Sequence, residues 1–340
     1  MIRCAAMNFN EPLLTRITSE ALGAEVEISV LFPPKFDRET LPLIINLHGG
    51  GDDRRSLADS KPLYDGLITS GQLPRAVLAS FSAGLSFYTG GYEAFIVDEY
   101  PSFLHREFGV SLEPKDTAIT GVSMGGYGSL KVAFKHPDRF CAVAALEPGV
   151  LPHLNYQTEL SADNWWSKDT IDVGAWGDPV DVERWQADNP ANVVIDNAEL
   201  IRRSGLAIYL ECGDEDLLNL HWGTEFLHRT LWDQQIPHEY RLVRWADHLG
   251  PSIPERILDA HSFLAKGLTG GRRAPRDIPL TEAEAAYAAD FANGIQPDEK
   301  AVPVYDPLGE RAPAVLRAMF GLSLDRAEKV IAGSPKFKRF

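Results

Sequence analysis

Short apolar runs recur along the chain and are separated by turn-rich loops or by helical patterns. Residues 25–32 alternate between polar and apolar positions and end at Pro33 and Pro34, which predicts a strand near a sheet edge. Other runs are apolar almost throughout, as is typical of strands covered on both faces. These buried-type strands are predicted at 43–47, 76–80, 117–120, 140–146 and 206–212, and a further strand is predicted at 239–243.

Helical patterns lie between many of these runs. Apolar residues at helical spacing predict helices at 92–107, 128–136, 224–235 and 253–266. Strands that alternate with helices indicate βαβ units, in which a mostly parallel sheet is flanked by helices. The sequence therefore predicts an α/β fold.

Two regions interrupt this alternation. Residues from about 148 to 204 form an insertion with four of the seven tryptophans. Structureless loops of that length are uncommon, so we expect a partly helical lid or wall. Residues 269–275 have a linker-like composition, and a capping box at Thr281 predicts a helix beyond them. We therefore expect one main domain over 1–268 and a helical C-terminal extension over 269–340, whose apolar faces suit a homo-oligomer contact.

Composition and charge narrow the function classes. The net charge of −15 argues against a nucleic-acid-binding protein and predicts long-range repulsion of anionic substrates. No apolar run reaches the ~20 residues that a membrane-spanning helix needs, and the N-terminal residues lack the apolar core of a secretory signal. Three widely spaced cysteines in no CxxC pattern suit reduced thiols, so we expect a cytoplasmic protein.

The segment from Gly121 to Gly125 reads Gly-Val-Ser-Met-Gly and lies between a predicted strand and a predicted helix. This is the G-x-S-x-G pattern in the strand–turn–helix context that a nucleophilic serine requires. The flanking glycines let strand and helix approach closely, so that the Ser123 hydroxyl projects from a tight turn. The pattern predicts that Ser123 is the nucleophile of a serine hydrolase.

Two backbone segments are candidates for an oxyanion hole. The N–H of Met124 follows the nucleophile at a helix N-terminus, where N–H groups have no helical partner. His48 opens a glycine loop directly after the predicted strand 43–47, at the place in chain order of the first oxyanion loop. We expect the N–H groups of Met124 and Gly50 to form the hole, with Gly51 close by.

A nucleophilic serine needs a histidine base and an orienting carboxylate, in the chain order serine, acid, histidine. His248 follows the last predicted strand, at the edge of the sheet where functional loops gather, and is the preferred base, with His221 as its competitor. The acid is expected just after the strand 206–212, where Asp216 is preferred over Asp214 and Glu215.

These residues carry a family resemblance. The chain resembles the putative-esterase branch of the α/β-hydrolases, which includes esterase D, S-formylglutathione hydrolase, feruloyl esterases and the mycolyltransferases, over about residues 15 to 267. The matching segments are 18–23, 47–49, 86–88, 92–96, 121–128, 213–216 and 248. The resemblance implies the α/β-hydrolase fold and hydrolysis of acyl esters without a cofactor or metal, with Ser123, Asp216 and His248 as the triad.

The chain departs from the family pattern in three places. The formylglutathione hydrolases carry a Gly-Gly-His-Asp-Trp loop, whereas residues 246–250 here read Ala-Asp-His-Leu-Gly. Glu147 follows the predicted strand 140–146, where small residues are usual, so it is expected either at the substrate pocket or in a structural salt bridge. The residues beyond 269 have no counterpart in the family pattern.

Aromatic residues supply the candidates for substrate contact. Phe87 and Tyr88 lie in the loop after the predicted strand 76–80, and Trp165 and Trp166 lie in the insertion. Aromatic side chains most often fill core or lid contacts, so direct contact with an acyl group is the less common role.

Three function classes follow from these observations. The leading hypothesis is a serine carboxylesterase acting on small-molecule esters through an acyl-enzyme. An acyltransferase or a peptidase-like hydrolase would use the same residues with another acceptor or substrate. The third class is a non-catalytic binding protein on a hydrolase fold, which a complete set of triad residues disfavours.

Overall fold

The computed structural model describes residues 8–159, 166 and 171–269. The chain divides into two units, Met1–Arg272 and Arg273–Phe340, and the described residues all belong to the first. The predicted helical extension over 269–340 and its proposed oligomer contact therefore lie outside the described residues, apart from Thr269. Within the described ranges, no helix has the length and apolar character needed to span a bilayer.

An eight-stranded sheet forms the centre of the domain, in the order β1-β2-β4-β3-β5-β6-β7-β8. Strand β2 pairs antiparallel with β1 and β4, and every other neighbouring pair is parallel. The strands are β1 Leu13–Ser19, β2 Ala24–Leu31, β3 Leu43–Leu47, β4 Val77–Phe81, β5 Thr117–Val122, β6 Ala142–Leu146, β7 Ala207–Gly213 and β8 Glu239–Val243.

Helices cover both faces of the sheet. They are α1 Arg55–Asp59, α2 Lys61–Thr69, α3 Tyr92–Ala94, α4 Tyr100–Phe108, α5 Met124–Lys135, α6 Ile171–Trp176, α7 Val182–Asp188, α8 Pro190–Asp196, α9 Ala198–Ser204, α10 Leu220–Asp233 and α11 Ile253–Leu268. A π-helical turn, Phe95–Glu99, joins α3 to α4. The mostly parallel sheet between helical layers confirms the predicted α/β fold.

Two apolar layers divide the core, because successive strand residues point to opposite faces of the sheet. Ile44 packs in the layer that contains residues of α1, α2 and α11, whereas Ile45 packs in the layer that contains residues of α4, α5, α8, α9 and α10. The central strands are therefore buried on both sides, which is why their sequences are apolar almost throughout.

Most predicted elements are present, with shifted ends. The strands at 43–47 and 239–243 have the predicted bounds, whereas α5 begins at Met124 rather than at 128. Glycines lower the helix propensity of this first turn. The start of α5 is therefore set by the packing of the helix on β5 and β6 rather than by the sequence pattern. The insertion is partly helical, as expected, and contributes α6 to α9.

The first turn of α5 lies in contact with the end of β3. A Cβ built on Gly125 would lie 1.9 Å from the carbonyl oxygen of Leu47, a distance that no real side chain can adopt. Only glycine allows the helix to approach the sheet this closely, so the packing of α5 on the sheet depends on the glycine at position 125.

We predict that Gly125→Ala lowers the free energy of unfolding by at least about 2 kcal/mol, because the added methyl group must displace backbone atoms. The measurement is urea unfolding followed by circular dichroism. Gly66→Ala is the control, since Gly66 is an exposed residue of α2 with no heavy atom within 4 Å of its Cβ position. This second variant should gain about 0.5–1 kcal/mol through helix propensity. Equal stability of the two variants would contradict the close contact.

Candidate active site

Polar side chains follow the carboxyl ends of four neighbouring strands. Ser123 follows β5, Glu147 follows β6, Asp216 lies three residues beyond β7, and His248 lies in the loop after β8. Because these strands are parallel and adjacent, their carboxyl ends lie along the same edge of the sheet. Residues distant in sequence are thus gathered into one region.

Ser123 occupies a strained turn between β5 and α5. Its backbone angles are φ 57° and ψ −116°, a conformation that L-residues rarely adopt. The turn is held by the Ser123 N–H, which donates to Leu146 at 2.9 Å, and by the Ser123 carbonyl, which accepts from Gly149 at 3.0 Å. Although Ser123 is the N-cap residue of α5, its hydroxyl makes no capping hydrogen bond. The side chain is half-buried, and its oxygen is not needed by the helix.

The glycine loop after β3 is fixed by His48. This buried histidine accepts a hydrogen bond at Nε2 from the Ala83 N–H (2.9 Å), so Nδ1 carries the proton and donates to the Gly49 carbonyl (2.7 Å). Burial lowers the pKa of His48, which favours this neutral form. The Cβ position of Gly49 lies 3.7 Å from Cβ of Ser123, so the loop runs beside the serine turn. His48 therefore holds the loop of Gly50 and Gly51 in place next to Ser123.

His248 and Asp216 form a buried pair. His248 Nδ1 donates to Asp216 Oδ2 at 2.8 Å, and the other carboxylate oxygen accepts from the Leu218 N–H at 2.7 Å. The two loops that carry them are joined by a backbone hydrogen bond of 3.0 Å from Glu215 to Ala246. This arrangement orients the imidazole with Nε2 pointing away from the acid, as a general base requires.

A second carboxylate lies at the same histidine nitrogen. Glu147 is fully buried, and its Oε2 lies 3.1 Å from His248 Nδ1. Its other oxygen accepts a short hydrogen bond from Arg256, whose Nε also bonds Glu211 at 2.5 Å. Arg256 lies on α11 and Glu211 on β7, and both are buried. The site thus continues inward as a cluster of buried charges.

The two carboxylates make His248 more basic than an ordinary histidine. Burial lowers the pKa of His248, but the hydrogen bond to Asp216 and the negative charges of Asp216 and Glu147 outweigh that effect and raise the pKa to about 9. A protonated imidazole is therefore stabilised in the folded chain.

The profile of the Putative esterase family matches residues 19–249, which are more than half of the chain and include Ser123, Asp216 and His248. The chain belongs to the Putative esterase family. Esterase Rv1288 of Mycobacterium tuberculosis is 26% identical to it over 209 residues, which are 56% of this chain and 44% of that protein. The chain thus spans less than half the length of this curated relative.

Solved structures agree on the fold. A ferulic acid esterase superposes with a TM-score of 0.62 at 19% identity, covering 76% of this chain and 98% of that one. An S-formylglutathione hydrolase from Agrobacterium tumefaciens superposes with a TM-score of 0.61 at 19% identity, covering 77% and 98%. This member of the Putative esterase family therefore has the α/β-hydrolase fold, as the sequence resemblance implied.

The alternative acids and base lie elsewhere in this esterase-family chain. Asp214 accepts from the Trp245 N–H at 2.7 Å and pairs with Arg244, and Glu215 is exposed. His221 is the second residue of α10, and its ring packs against that of Trp222. Of the candidates that the sequence left open, Asp216 and His248 are the two that contact each other.

The predicted substrate contacts separate into different environments. Phe87 stacks on Trp166 with ring centroids 6.4 Å apart, and both line a small cavity with Trp176 that has room for about one water molecule. Tyr88 is wholly buried, and its hydroxyl donates to the His48 carbonyl at 2.9 Å. Its side chain has no surface open to a ligand and instead supports the glycine loop. Trp165 lies outside the described residues.

Glu147 has its place in the salt bridge rather than at a pocket wall, because its side chain has no exposed surface. Its partners Arg256 and Glu211 were missed by the sequence reasoning. The available signal was a glutamate within the apolar run 206–212, since a charge in a buried strand requires a partner. The identity of that partner depends on how α11 packs.

Three potential metal ligands lie close together at this site, but a cation already pairs with one of them. Ligand atoms of Glu147, Asp216 and His248 lie within 4.8 Å of one another, which is a spacing that a cation could bridge. The Arg256 guanidinium already contacts Glu147 and supplies positive charge there. The donor set is therefore better suited to holding a protonated histidine than a divalent cation.

We predict that the free energy of unfolding falls as the pH rises from 6.5 to about 9, because a histidine whose pKa rises on folding stabilises the native state only while it is protonated. The slope should reach at most about 1.4 kcal/mol per pH unit. His248→Gln should flatten this part of the curve, measured by urea unfolding across the pH range.

His261→Phe is the control for that measurement. Burial lowers the pKa of His261 to about 4, so its contribution is lost as the pH falls from 6.5 toward 4. This variant should change the acidic part of the curve and keep the alkaline decline. An alkaline decline that persists unchanged in His248→Gln would contradict the assignment.

Proposed function

We propose that this chain is a serine carboxylesterase that hydrolyses small-molecule esters with Ser123, Asp216 and His248 as its triad. The observation that carries the proposal is the buried 2.8 Å hydrogen bond from His248 to Asp216, at the same sheet edge as a strained serine turn. Membership of the Putative esterase family supports the same reaction class.

In the proposed reaction, the Ser123 hydroxyl attacks the ester carbonyl while His248 Nε2 takes its proton. Asp216 keeps the imidazole in the tautomer with the proton on Nδ1 and stabilises the imidazolium that forms. His248 then gives the proton to the departing alkoxide, and the acyl group remains on Ser123. Water, activated by the same histidine, releases the carboxylic acid.

The oxyanion is assigned to backbone N–H groups. Met124 is the first residue of α5, where N–H groups lack a helical partner, and the His48 bonds hold the loop of Gly50 and Gly51 beside the serine turn. Preorganised donors of this kind need no reorganisation when charge develops on the substrate oxygen.

Exposed apolar side chains favour a neutral, apolar ester. Trp245 and Leu249 are 75% and 72% exposed and flank His248 in the same loop, and Leu217, which follows Asp216, is 58% exposed. Leu85 is also exposed and lies against Gly50. The net charge of the chain is −15. Exposed apolar side chains on a chain of this charge accept uncharged apolar groups more readily than anionic ones.

We also propose a cytoplasmic location. Cys141 and Cys212 are buried thiols within the described part of the chain, which suits a reducing compartment. Fractionation of the native host cells tests this assignment.

We expect Ser123→Ala to lose at least about 10³-fold of kcat/KM on p-nitrophenyl acetate, because no other group replaces the nucleophile. The same variant should fail to react with a fluorophosphonate probe. Ser129→Ala is the control, since Ser129 is a buried serine of the same helix whose hydroxyl donates to Gly126 at 2.9 Å. Full activity or full labelling of Ser123→Ala would exclude the proposed mechanism.

A second prediction concerns substrate charge. For a p-nitrophenyl ester that carries a free carboxylate, kcat/KM should rise when the ionic strength increases from about 0.01 M to 0.15 M, because salt screens long-range repulsion. For p-nitrophenyl butyrate, which is neutral, kcat/KM should stay nearly constant. A stronger salt response of the neutral ester would contradict the charge argument.

A further inference from the structure

We propose that Glu147 is a positioning residue for His248, a second carboxylate that shares with Asp216 the orientation of the imidazole and the stabilisation of its protonated form. The proposal rests on the proposed function, in which His248 is the base. It assigns a specific task to the residue that departs from the family pattern after β6.

The backbone places Glu147 at this position. Its φ of 46° lies in the left-handed region, and its N–H donates to the Glu211 carbonyl at 2.7 Å. Strain at a non-glycine residue persists only where the surrounding structure enforces it. The turn directs a fully buried carboxylate toward His248 from the neighbouring strand.

Two carboxylates compete for one N–H. His248 Nδ1 lies 2.8 Å from Asp216 Oδ2 and 3.1 Å from Glu147 Oε2, and its proton is directed at Asp216. Glu147 Oε2 therefore accepts no hydrogen bond from the described residues. A buried carboxylate oxygen without a donor is costly, and the charge of an imidazolium at 3.1 Å offsets that cost.

Arg256 holds Glu147 in this orientation. Its Nη2 bonds Glu147 Oε1, its Nε bonds Glu211, and its Nη1 donates to the Asp247 carbonyl at 3.1 Å. Asp247 precedes His248 in the same loop, so one planar guanidinium connects the second carboxylate to the backbone beside the histidine. Such a fork fixes a carboxylate more rigidly than a single charge does.

The neighbouring groups leave an excess of negative charge beside a neutral His248. Of the three buried carboxylates, Glu147 and Glu211 pair with the Arg256 guanidinium and Asp216 pairs with His248, while the Tyr209 hydroxyl donates to Glu211 at 3.1 Å. The Cys212 thiol lies 3.8 Å from Asp216, and burial raises its pKa well above the ordinary value, so it stays neutral. The Asp247 side chain is exposed, and its Oδ1 accepts from the backbone N–H groups of His248 at 2.6 Å and Leu217 at 3.1 Å rather than from the imidazole. A proton on His248 reduces the excess.

A structural role and a positioning role predict different results. If Glu147 served only to pair with Arg256, an uncharged isostere would alter stability and leave the titration of His248 unchanged. If Glu147 acts on His248, removal of its charge must lower the pKa of the imidazole, because Glu147 is one of the two groups that raise it against the effect of burial.

The test is an NMR titration of His248 in the full chain, in the wild type, Glu147→Gln and Glu211→Gln. We expect the pKa of His248 to fall by roughly one unit or more in Glu147→Gln, as for the loss of an opposite charge within hydrogen-bond distance. Glu211→Gln is the matched control, since Glu211 is an equally buried partner of Arg256 that forms no hydrogen bond or ion pair with His248 among the described residues. Its shift should be clearly smaller.

In Glu147→Gln, the acidic limb of the pH profile of kcat/KM for p-nitrophenyl acetate should move to lower pH by the same number of pH units as the pKa of His248. An unchanged His248 titration in Glu147→Gln, or equal shifts in both variants, would overturn the proposal. If Glu147→Gln does not fold, Glu147→Asp withdraws the carboxylate by one methylene group and should give a smaller shift in the same direction; no shift would overturn it.

The titration needs no substrate, so the two proposals fail in different ways. An inactive wild type would refute the esterase function and leave the His248 titration interpretable. An active wild type whose His248 titration ignores Glu147 would refute the positioning role alone.

Discussion

The contact between the backbone of α5 and the end of β3 sets the geometry on which the site depends. A Cβ on Gly125 would lie 1.9 Å from the Leu47 carbonyl oxygen, and one on Gly121 would lie 2.3 Å from the Gly125 carbonyl carbon. With glycine at both places, the chain turns within a few residues and the strain is concentrated at Ser123. The glycine loop begins directly after Leu47, so one contact places both the serine turn and the loop beside it.

Buried charge is the second organising feature. Three buried carboxylates lie near the ends of β6 and β7, in a region where water does not screen them. Arg256 pairs with Glu147 and Glu211, and His248 contacts Asp216 and Glu147. Breaking such a group by removing one member is costly, because the remaining charges lose their partner. The basicity of His248 is therefore set by the protein and not by solvent. A fold that gathers strand ends at one edge makes this concentration of charge possible.

Local patterns were sufficient for much of the fold. The apolar run at 43–47 coincides with β3, since a strand covered on both faces has little choice of residue. The predicted strand 239–243 coincides with β8, which lies at the edge of the sheet and has no fully buried residue. The G-x-S-x-G segment was recognisable because its glycines are required by steric contacts, some of them between residues only a few positions apart. By contrast, the start of α5 at Met124 was missed, because glycine-rich turns have weak helix propensity and the packing of α5 on the sheet overrides it.

The sequence by itself determined the α/β class, the family resemblance, the candidate serine and the order of serine, acid and histidine along the chain. Only the tertiary structure decided that Asp216 rather than Asp214 meets His248, that Tyr88 lies in the core, and that Glu147 reaches the same nitrogen with Arg256 behind it. The physical reason is the distance along the sequence over which each interaction acts. Periodicity and turn chemistry act over a few residues, whereas these contacts join strands and a helix far apart in sequence, and their partners are chosen by sheet register and helix packing.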